Sequence, residues 1–138
     1  MAEENKTREL NEKDLEWIEH ALKGGYQALD WYIQSSEVTP ANLDKTFQVW
    51  KADTSENRAP ENLISSGLGI LFGQYVIEHK KASWVIVVDE QHGENLALVS
   101  DHGAEVYPIG EVWLRIDPKN KDKSFFEPIW TTEITLKY

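Results

Sequence analysis

Residues 83–89 read Ser-Trp-Val-Ile-Val-Val-Asp, an apolar and β-branched run with a polar residue at each end. The run is too short for a second buried helix, so it predicts a central β-strand. Helical periodicities precede it and alternating patterns follow it. We therefore predict an α+β domain, with three N-terminal helices packed on one face of a mostly antiparallel sheet of about four strands.

Downstream of this strand the sequence predicts further strands. Residues 90–94 have the composition of a hairpin turn, and apolar residues alternate over 96–100. A third strand is predicted around Val106-Tyr107. From Trp130 to Tyr138 every second residue is apolar or a threonine, which predicts a half-buried antiparallel strand.

Upstream of the central strand the spacing of apolar residues is helical. Asn11 can cap a helix over about 11–36, and Gly24-Gly25 inside that helix predicts a bend, or a neighbour packed closely against the glycines. Thr39-Pro40 opens a short second helix, over about 40–51. A third helix begins at Pro60 and is apolar nearly all round, which is typical of a buried helix.

Composition limits the class of protein. The chain has 138 residues, which suits one domain, predicted over residues 11–138 after a disordered polar N-terminus over residues 1–10. It has no cysteine, which excludes disulfides, thiolate metal sites and a cysteine nucleophile. We find no apolar leader and no stretch long enough to cross a membrane, so we expect a cytoplasmic protein without membrane contact.

The charge of the chain favours a basic partner. A formal net charge of −10 repels phosphate backbones, so we expect no nucleic-acid binding. One basic group interrupts the acidic chain, and Asp117 and Asp122 divide it, so it is interpreted as a solvated loop. Its members are Arg115, Lys119, Lys121 and Lys123.

The sequence lacks a local signature of catalysis or metal binding. The four histidines do not form a metal motif: His20 and His79 are interpreted as surface or capping residues, and strand rise separates His92 from His102 by roughly 20 Å. The segment Ser65-Ser66-Gly67 lacks the G-x-S-x-G pattern and is predicted to let a neighbouring element approach closely. We therefore predict no catalytic residue, no metal and no cofactor.

Six tryptophans in the chain give the clearest functional hint, and Trp113 is the ambiguous one. If its segment is a strand, the side chains at 111, 113, 115 and 117 point outward together and form an interface anchor. If Pro108 starts a helical turn, Ile109, Val112, Trp113 and Ile116 form its buried face. The candidate partner-binding residues are Glu111, Trp113, Arg115 and Asp117.

Landmarks between Pro60 and Pro118 resemble a bacterial family known as domain of unknown function 3806. They are residues 68–73 at the end of the third helix, the strand over 84–89, Val106-Tyr107-Pro108, and the later positions Val112, Arg115 and Ile116. The resemblance implies an α+β domain and no particular activity.

These features favour a non-catalytic protein-binding module, for example an immunity or antitoxin-like protein that neutralises a basic partner. One alternative is a sensor that binds a small molecule or peptide in a pocket between the third helix and the sheet. A hydrolase that uses carboxylates and one histidine is the third hypothesis. The oligomeric state is open.

Overall fold

An antiparallel sheet of four strands, in the order β1-β2-β3-β4, forms one layer of the computed structural model. The structure describes residues 6–91, 93–122 and 124–138. The strands are β1 (Lys6–Arg8), β2 (Ala82–Asp89), β3 (Gly93–Ser100) and β4 (Glu105–Val106). The helices are α1 (Glu12–Ile33), α2 (Pro40–Ala52), α3 (Glu61–His79) and α4 (Pro108–Ile116). A C-terminal helical segment joins α5 (Phe126–Ile129), a π-helix (Trp130–Ile134) and α6 (Thr135–Lys137).

One face of the sheet packs on the helices. Trp84 lies opposite Leu98 in the register, and Ile86 lies opposite Leu96, so these side chains share a face. Leu98 belongs to the main hydrophobic core, and Trp84 packs against that core. The strand predicted over 83–89 and its hairpin with the next strand are confirmed.

Local signals set the starts of the first two helices. Asn11 accepts a hydrogen bond from the N–H of Asp14, and the Asp14 carboxylate accepts one from the N–H of Asn11, which makes a capping box. Thr39 caps α2, and Pro40 occupies its first turn. The predicted helices therefore agree with α1, α2 and α3 within a few residues at each end.

Helix α3 lies at the centre of the packing and is apolar nearly all round, as predicted. It meets α1 where Gly67 lies against Gly25; a Cβ on Gly25 would come within 2.6 Å of the carbonyl oxygen of Gly67. It meets the sheet where Gly73 lies under the Trp84 ring. Helix α1 continues through Gly24 and Gly25 as one helix. Of the two predicted outcomes, a close neighbour or a bend, the close neighbour is present.

The N-terminal prediction needs a correction. Residues 6–8 were predicted to be disordered, but they pair with Ile86–Val88 as an edge strand. Residues 1–5 lie outside the described residues. Arg8 joins this strand to α1, because its guanidinium contacts the Asp14 carboxylate at 2.7 Å. Strand β1 thus precedes the first three helices, and α4 and the C-terminal helical segment follow the sheet. The predicted order of three helices followed by strands therefore describes only part of the architecture.

The prediction of a C-terminal strand is wrong, because residues 126–137 are helical. Trp130, Ile134 and Tyr138 lie four residues apart, a spacing that fits both strand alternation and successive helical turns. Ile134 is fully buried in the core, whereas Leu136, which the strand would have buried, is exposed. The helical conformation is favoured because Asp44, on α2, caps the start of this segment.

Candidate functional site

A two-lobed groove runs between α1 and the N-terminal half of α3, and we call it the α1–α3 groove. Its lobes have volumes of about 450 Å³ and 510 Å³, and Gln27, Pro60 and Leu63 line both of them. The first lobe includes Trp17, His20, Lys23, Gly24, Asn62 and Ser66. The second lobe includes Asp30, Trp31, Tyr32, Asn57 and Ala59.

Two exposed tryptophans mark the ends of this groove. Trp17 is 45% exposed and Trp31 is 63% exposed. They stand fourteen residues apart on α1, which is close to four whole turns, so both project from the same side of the helix. The glycine contact between α1 and α3 brings Leu63 against Gly24, and this pairing forms the floor between the two tryptophans.

Hydrogen bonds hold the loop that closes the Trp31 end of the groove. The Tyr32 hydroxyl donates to the Asp53 carboxylate at 2.7 Å and accepts from the N–H of Ala59 at 3.0 Å. Burial raises the pKa of Tyr32, and hydrogen bonds from Ser55 and Tyr32 lower the pKa of Asp53. The indole N–H of Trp50 donates to the carbonyl of Ala59 at 2.7 Å. This wall is therefore preorganised.

A second cavity, the polar pocket, lies between β4, α4 and the C-terminal helical segment and has a volume of about 660 Å³. The Arg115 guanidinium contacts the Glu111 carboxylate and lies 3.3 Å from that of Asp122. The same guanidinium lies over the Phe125 ring. Other polar groups around the cavity are Glu105, Tyr107, Thr132, Glu133, Lys137 and Tyr138.

The phenol of Tyr138 links this pocket to the sheet. Its hydroxyl donates to the carbonyl of Leu98 at 2.8 Å, and burial raises the pKa of Tyr138 to about 12. The phenol stays protonated at neutral pH and acts as a hydrogen-bond donor there. Glu133 and Lys137, four residues apart, form an ion pair at 2.7 Å on the same segment.

The four predicted partner-binding residues do not share one face. Their segment is helical, as in the second alternative, so Glu111 and Arg115 point into the polar pocket while Trp113 lies on another side. Trp113 is 42% exposed, which contradicts the burial expected in that alternative. Asp117 follows the helix, and its side chain accepts from the N–H of Lys119.

The histidines lie in different places. His20 lines the α1–α3 groove, His79 contacts the carbonyl of Tyr75 at 2.7 Å, and His102 lies 3.3 Å from Asp101. His92 lies outside the described residues. Within the described part of the chain, no three acidic or histidine side chains gather around a position that could hold a metal ion.

Two of the basic residues in the predicted loop contact different partners. Arg115 is paired with Glu111 and Asp122, and the Lys121 ammonium lies 3.3 Å from the carbonyl of Pro118. Lys123 lies outside the described residues. As for membranes, no described helix is both long enough and apolar enough to span a bilayer.

The sequence predictions missed the groove, although one signal was present. Trp17 and Trp31 flank the apolar stripe of the first helix, and the high tryptophan content is the feature of the sequence that indicates an interface. The second wall comes from α3, more than thirty residues further along the chain. No local pattern indicates that the two helices leave an open channel between them.

The family model for the domain of unknown function DUF3806 matches residues 45–124. The chain belongs to this family. The resemblance found over residues 60–118 is thereby confirmed, and the match is wider than those landmarks. The DUF3806 match begins within α2 and includes α3, the sheet from β2 onward and α4. α1, which carries Trp17 and Trp31, lies before it.

One solved structure shares the fold of this DUF3806 chain. It is a crystal structure from Bacteroides thetaiotaomicron VPI-5482, with a TM-score of 0.62 and 12% sequence identity. The alignment covers 83% of this chain and 42% of that one, so this chain spans less than half the length of the Bacteroides protein. No curated protein matches the chain.

Proposed function

We propose that the chain is a non-catalytic protein-binding module and that the α1–α3 groove is its contact surface. One observation carries the proposal: two exposed tryptophans stand at the ends of a mostly apolar groove with a preorganised wall. Tryptophan is enriched among interface hot spots, and truncating a hot-spot residue costs about 2 kcal/mol or more.

Leaving these tryptophans in water has a cost that binding would recover. A large apolar side chain gains roughly 25 cal/mol for each Å² that it removes from water. Both tryptophans stand on a helix whose backbone is already ordered, so a partner that covers them needs to order only their side chains. Scattered single apolar residues are ordinary on protein surfaces, but a groove bounded by two tryptophans indicates an interaction site.

The charge of the chain supports a basic protein as the partner. A net charge of −10 attracts a basic surface and speeds the encounter, and salt weakens this attraction. Capture and blocking of a basic protein is the work of an immunity or antitoxin-like protein, and we propose this role for the chain. It needs surface complementarity and no chemical step.

The polar pocket supports a second candidate, a sensor for a small molecule or peptide. Ligand pockets place a few polar groups in a cavity of several hundred Å³, and this pocket has that size and polar side chains. It lies beside β4 and α4 and not between α3 and the sheet, where we expected a sensor site. The carboxylates of Glu111 and Asp122 already contact Arg115, so the groove remains the stronger site.

Photo-crosslinking tests the binding module. A benzoylphenylalanine at Gln27, the α1 residue shared by both lobes, should capture a protein partner when the full chain is expressed in its native host. The capture should fall severalfold in Trp17→Ala and Trp31→Ala chains, because each loses an anchor. Far-UV circular dichroism of both variants checks that the fold is kept.

The matched control places the same crosslinker at Gln91, an exposed glutamine in the turn between β2 and β3. Crosslinking from Gln91 should give different products, in lower yield. Identical products from both positions, or capture that does not depend on Trp17 and Trp31, would contradict the proposal.

A further inference from the structure

We infer that the occupant of the α1–α3 groove is an amphipathic α-helix of the partner whose exposed face is basic. The inference rests on the proposed binding function, and it adds the shape and the charge of what binds there. Three observations support the inference: the secondary structure of the groove walls, the length of the groove, and the charges of α1 and of the whole chain.

The walls favour a helical occupant because they offer few backbone hydrogen bonds. The two long walls are α-helices, and the N–H and C=O groups inside a helix bond to each other. In the loop at the Trp31 end, the N–H and the C=O of Ala59 already bond to Tyr32 and Trp50. Even the carbonyl of Pro60, at the start of α3, accepts from the N–H groups of Leu63 and Ile64. An extended peptide in this groove would leave its own backbone groups without partners, whereas a helix satisfies them internally.

The length of the groove fits about four helical turns. Trp17 and Trp31 are fourteen residues apart, which corresponds to about 21 Å of helix axis, or about four turns of a second helix. The shared residues Gln27, Pro60 and Leu63 lie between the two lobes. An occupying helix with two large apolar side chains about seven residues apart would place one side chain in each lobe.

The charges favour a basic occupant. Helix α1 carries five carboxylates, from Glu12 to Asp30, against two lysines, and one of the five, Asp14, is already paired with Arg8. Lys23 lines one lobe and Asp30 the other, so the lining itself is balanced, and the preference for a basic occupant rests on the excess of carboxylates on α1 and on the net charge of the chain. A second copy of this chain and an anionic membrane are both disfavoured, because each would bring more negative charge to a chain at −10.

Peptides of defined pattern test this inference by calorimetry with the full chain. The first probe has about 18 residues of leucine and lysine, with leucines at i, i+3, i+4 and i+7. The second has the same composition with strictly alternating leucines, and the third replaces each lysine of the first with glutamate. At about 0.15 M salt, the first probe should bind at least about tenfold more tightly than either of the others.

Variants of the chain locate the binding. A chain with both Trp17→Ala and Trp31→Ala should bind the first probe about tenfold or more weakly. Trp113→Ala removes a tryptophan of similar exposure that lies outside the groove, and it should leave the affinity unchanged within about twofold. Equal losses in the two chains would overturn the inference.

Other outcomes separate this inference from the proposed function. If the two lysine peptides bind equally, or the glutamate peptide binds best, the basic helix is wrong. Capture from Gln27 would then still support the binding module. A dimer of the chain that Trp31→Ala dissociates would identify a second copy as the occupant and would also overturn the inference.

Discussion

At the scale of single residues, Asp44 connects two parts of the chain that are eighty residues apart in sequence. Asp44 is 3% exposed, and its carboxylate accepts hydrogen bonds from the N–H groups of Phe125 and Phe126 at 2.9 and 2.8 Å. It also accepts from the N–H of Glu127 and from the Ser124 hydroxyl. A side chain on α2 thus does what a local N-cap residue does, and its negative charge suits the start of a helix.

Replacing this carboxylate should loosen the C-terminal helical segment. In Asp44→Asn an NH₂ group takes the place of one acceptor oxygen and faces backbone donors, so at least one backbone N–H at the start of the segment loses its partner. We expect a loss of about 3 kcal/mol in the free energy of unfolding, measured by urea titration. Hydrogen exchange at Phe125 and Phe126 should become faster at the same time.

The same substitution at Asp101 is the control. Asp101 has a side chain that is 50% exposed and pairs only with the exposed His102 among the ion pairs of the described residues. Asp101→Asn should change the free energy of unfolding by less than about 0.5 kcal/mol. If the two variants are equally stable, the capping role of Asp44 is wrong.

At the scale of elements, the contact of α1 with α3 determines the groove. The helices approach until the backbone of Gly67 touches that of Gly25, and this leaves the neighbouring Leu63 and Gln27 at the groove floor. α3 also meets Trp84 on its Gly73 side, so it cannot retreat from α1. Glycines that cost helix propensity are therefore retained in the packing for their small size.

Neighbouring glycines on α1 should respond in opposite ways to alanine. A Cβ at position 25 would meet the carbonyl of Gly67 at 2.6 Å, so Gly25→Ala should destabilise the fold by about 1–3 kcal/mol through overpacking. A Cβ at position 24 would meet only the Leu63 side chain, at 3.4 Å. Gly24→Ala should therefore be neutral or gain up to about 1 kcal/mol from helix propensity.

Thermal and urea unfolding of the two variants measure this difference. Gly24→Ala is the matched control, because it makes the same chemical change one residue away in the same helix. Equal effects of the two substitutions would mean that the helices are further apart than in the structure.

At the scale of the whole molecule, Arg8 ties the first strand to the rest of the fold. Its guanidinium contacts the Asp14 carboxylate of α1 at 2.7 Å and the Glu94 carboxylate of β3 at 3.0 Å. Hydrogen bonds from Arg8 lower the pKa of Asp14 and of Glu94, and the carboxylates raise the pKa of Arg8. The three groups are solvent-accessible, so their contribution is screened by salt.

The ion pairs of Arg8 with Asp14 and Glu94 should weaken in acid. Both carboxylates have a pKa below the ordinary values of 3.8 and 4.5, so their contribution is complete above those values and is lost as the pH falls through the lowered ones. Wild type should therefore have a higher urea midpoint than Arg8→Gln at about pH 6. This gap should shrink below about pH 4.

Amide exchange gives a second measure of the same attachment. The amides of Lys6–Arg8 should exchange faster in Arg8→Gln than in wild type at about pH 6, and the difference should narrow in acid. A difference that stays constant with pH would show that Arg8 acts through packing alone.

Local signals in the sequence were enough for much of the fold. Asn11, Thr39 and Pro60 act on backbone groups within a few residues, so the starts of α1, α2 and α3 could be predicted. The β-branched run before Asp89 needs only short-range sterics and burial, so β2 and its hairpin were also predictable. The family resemblance depended on these same local landmarks.

By itself, then, the sequence determined the α+β class, most helix and strand positions, the family and the acidic charge, because each depends on composition or on neighbours along the chain. Only the tertiary structure decided the helical C-terminal segment, since Trp130, Ile134 and Tyr138 fit two periodicities and the deciding acceptor is Asp44, on a distant helix. It also decided the groove. Trp17 and Trp31 border a groove only because α3 packs beside them. The sequence predicts a close neighbour at Gly24-Gly25, but no local pattern identifies that neighbour as Gly67 on α3.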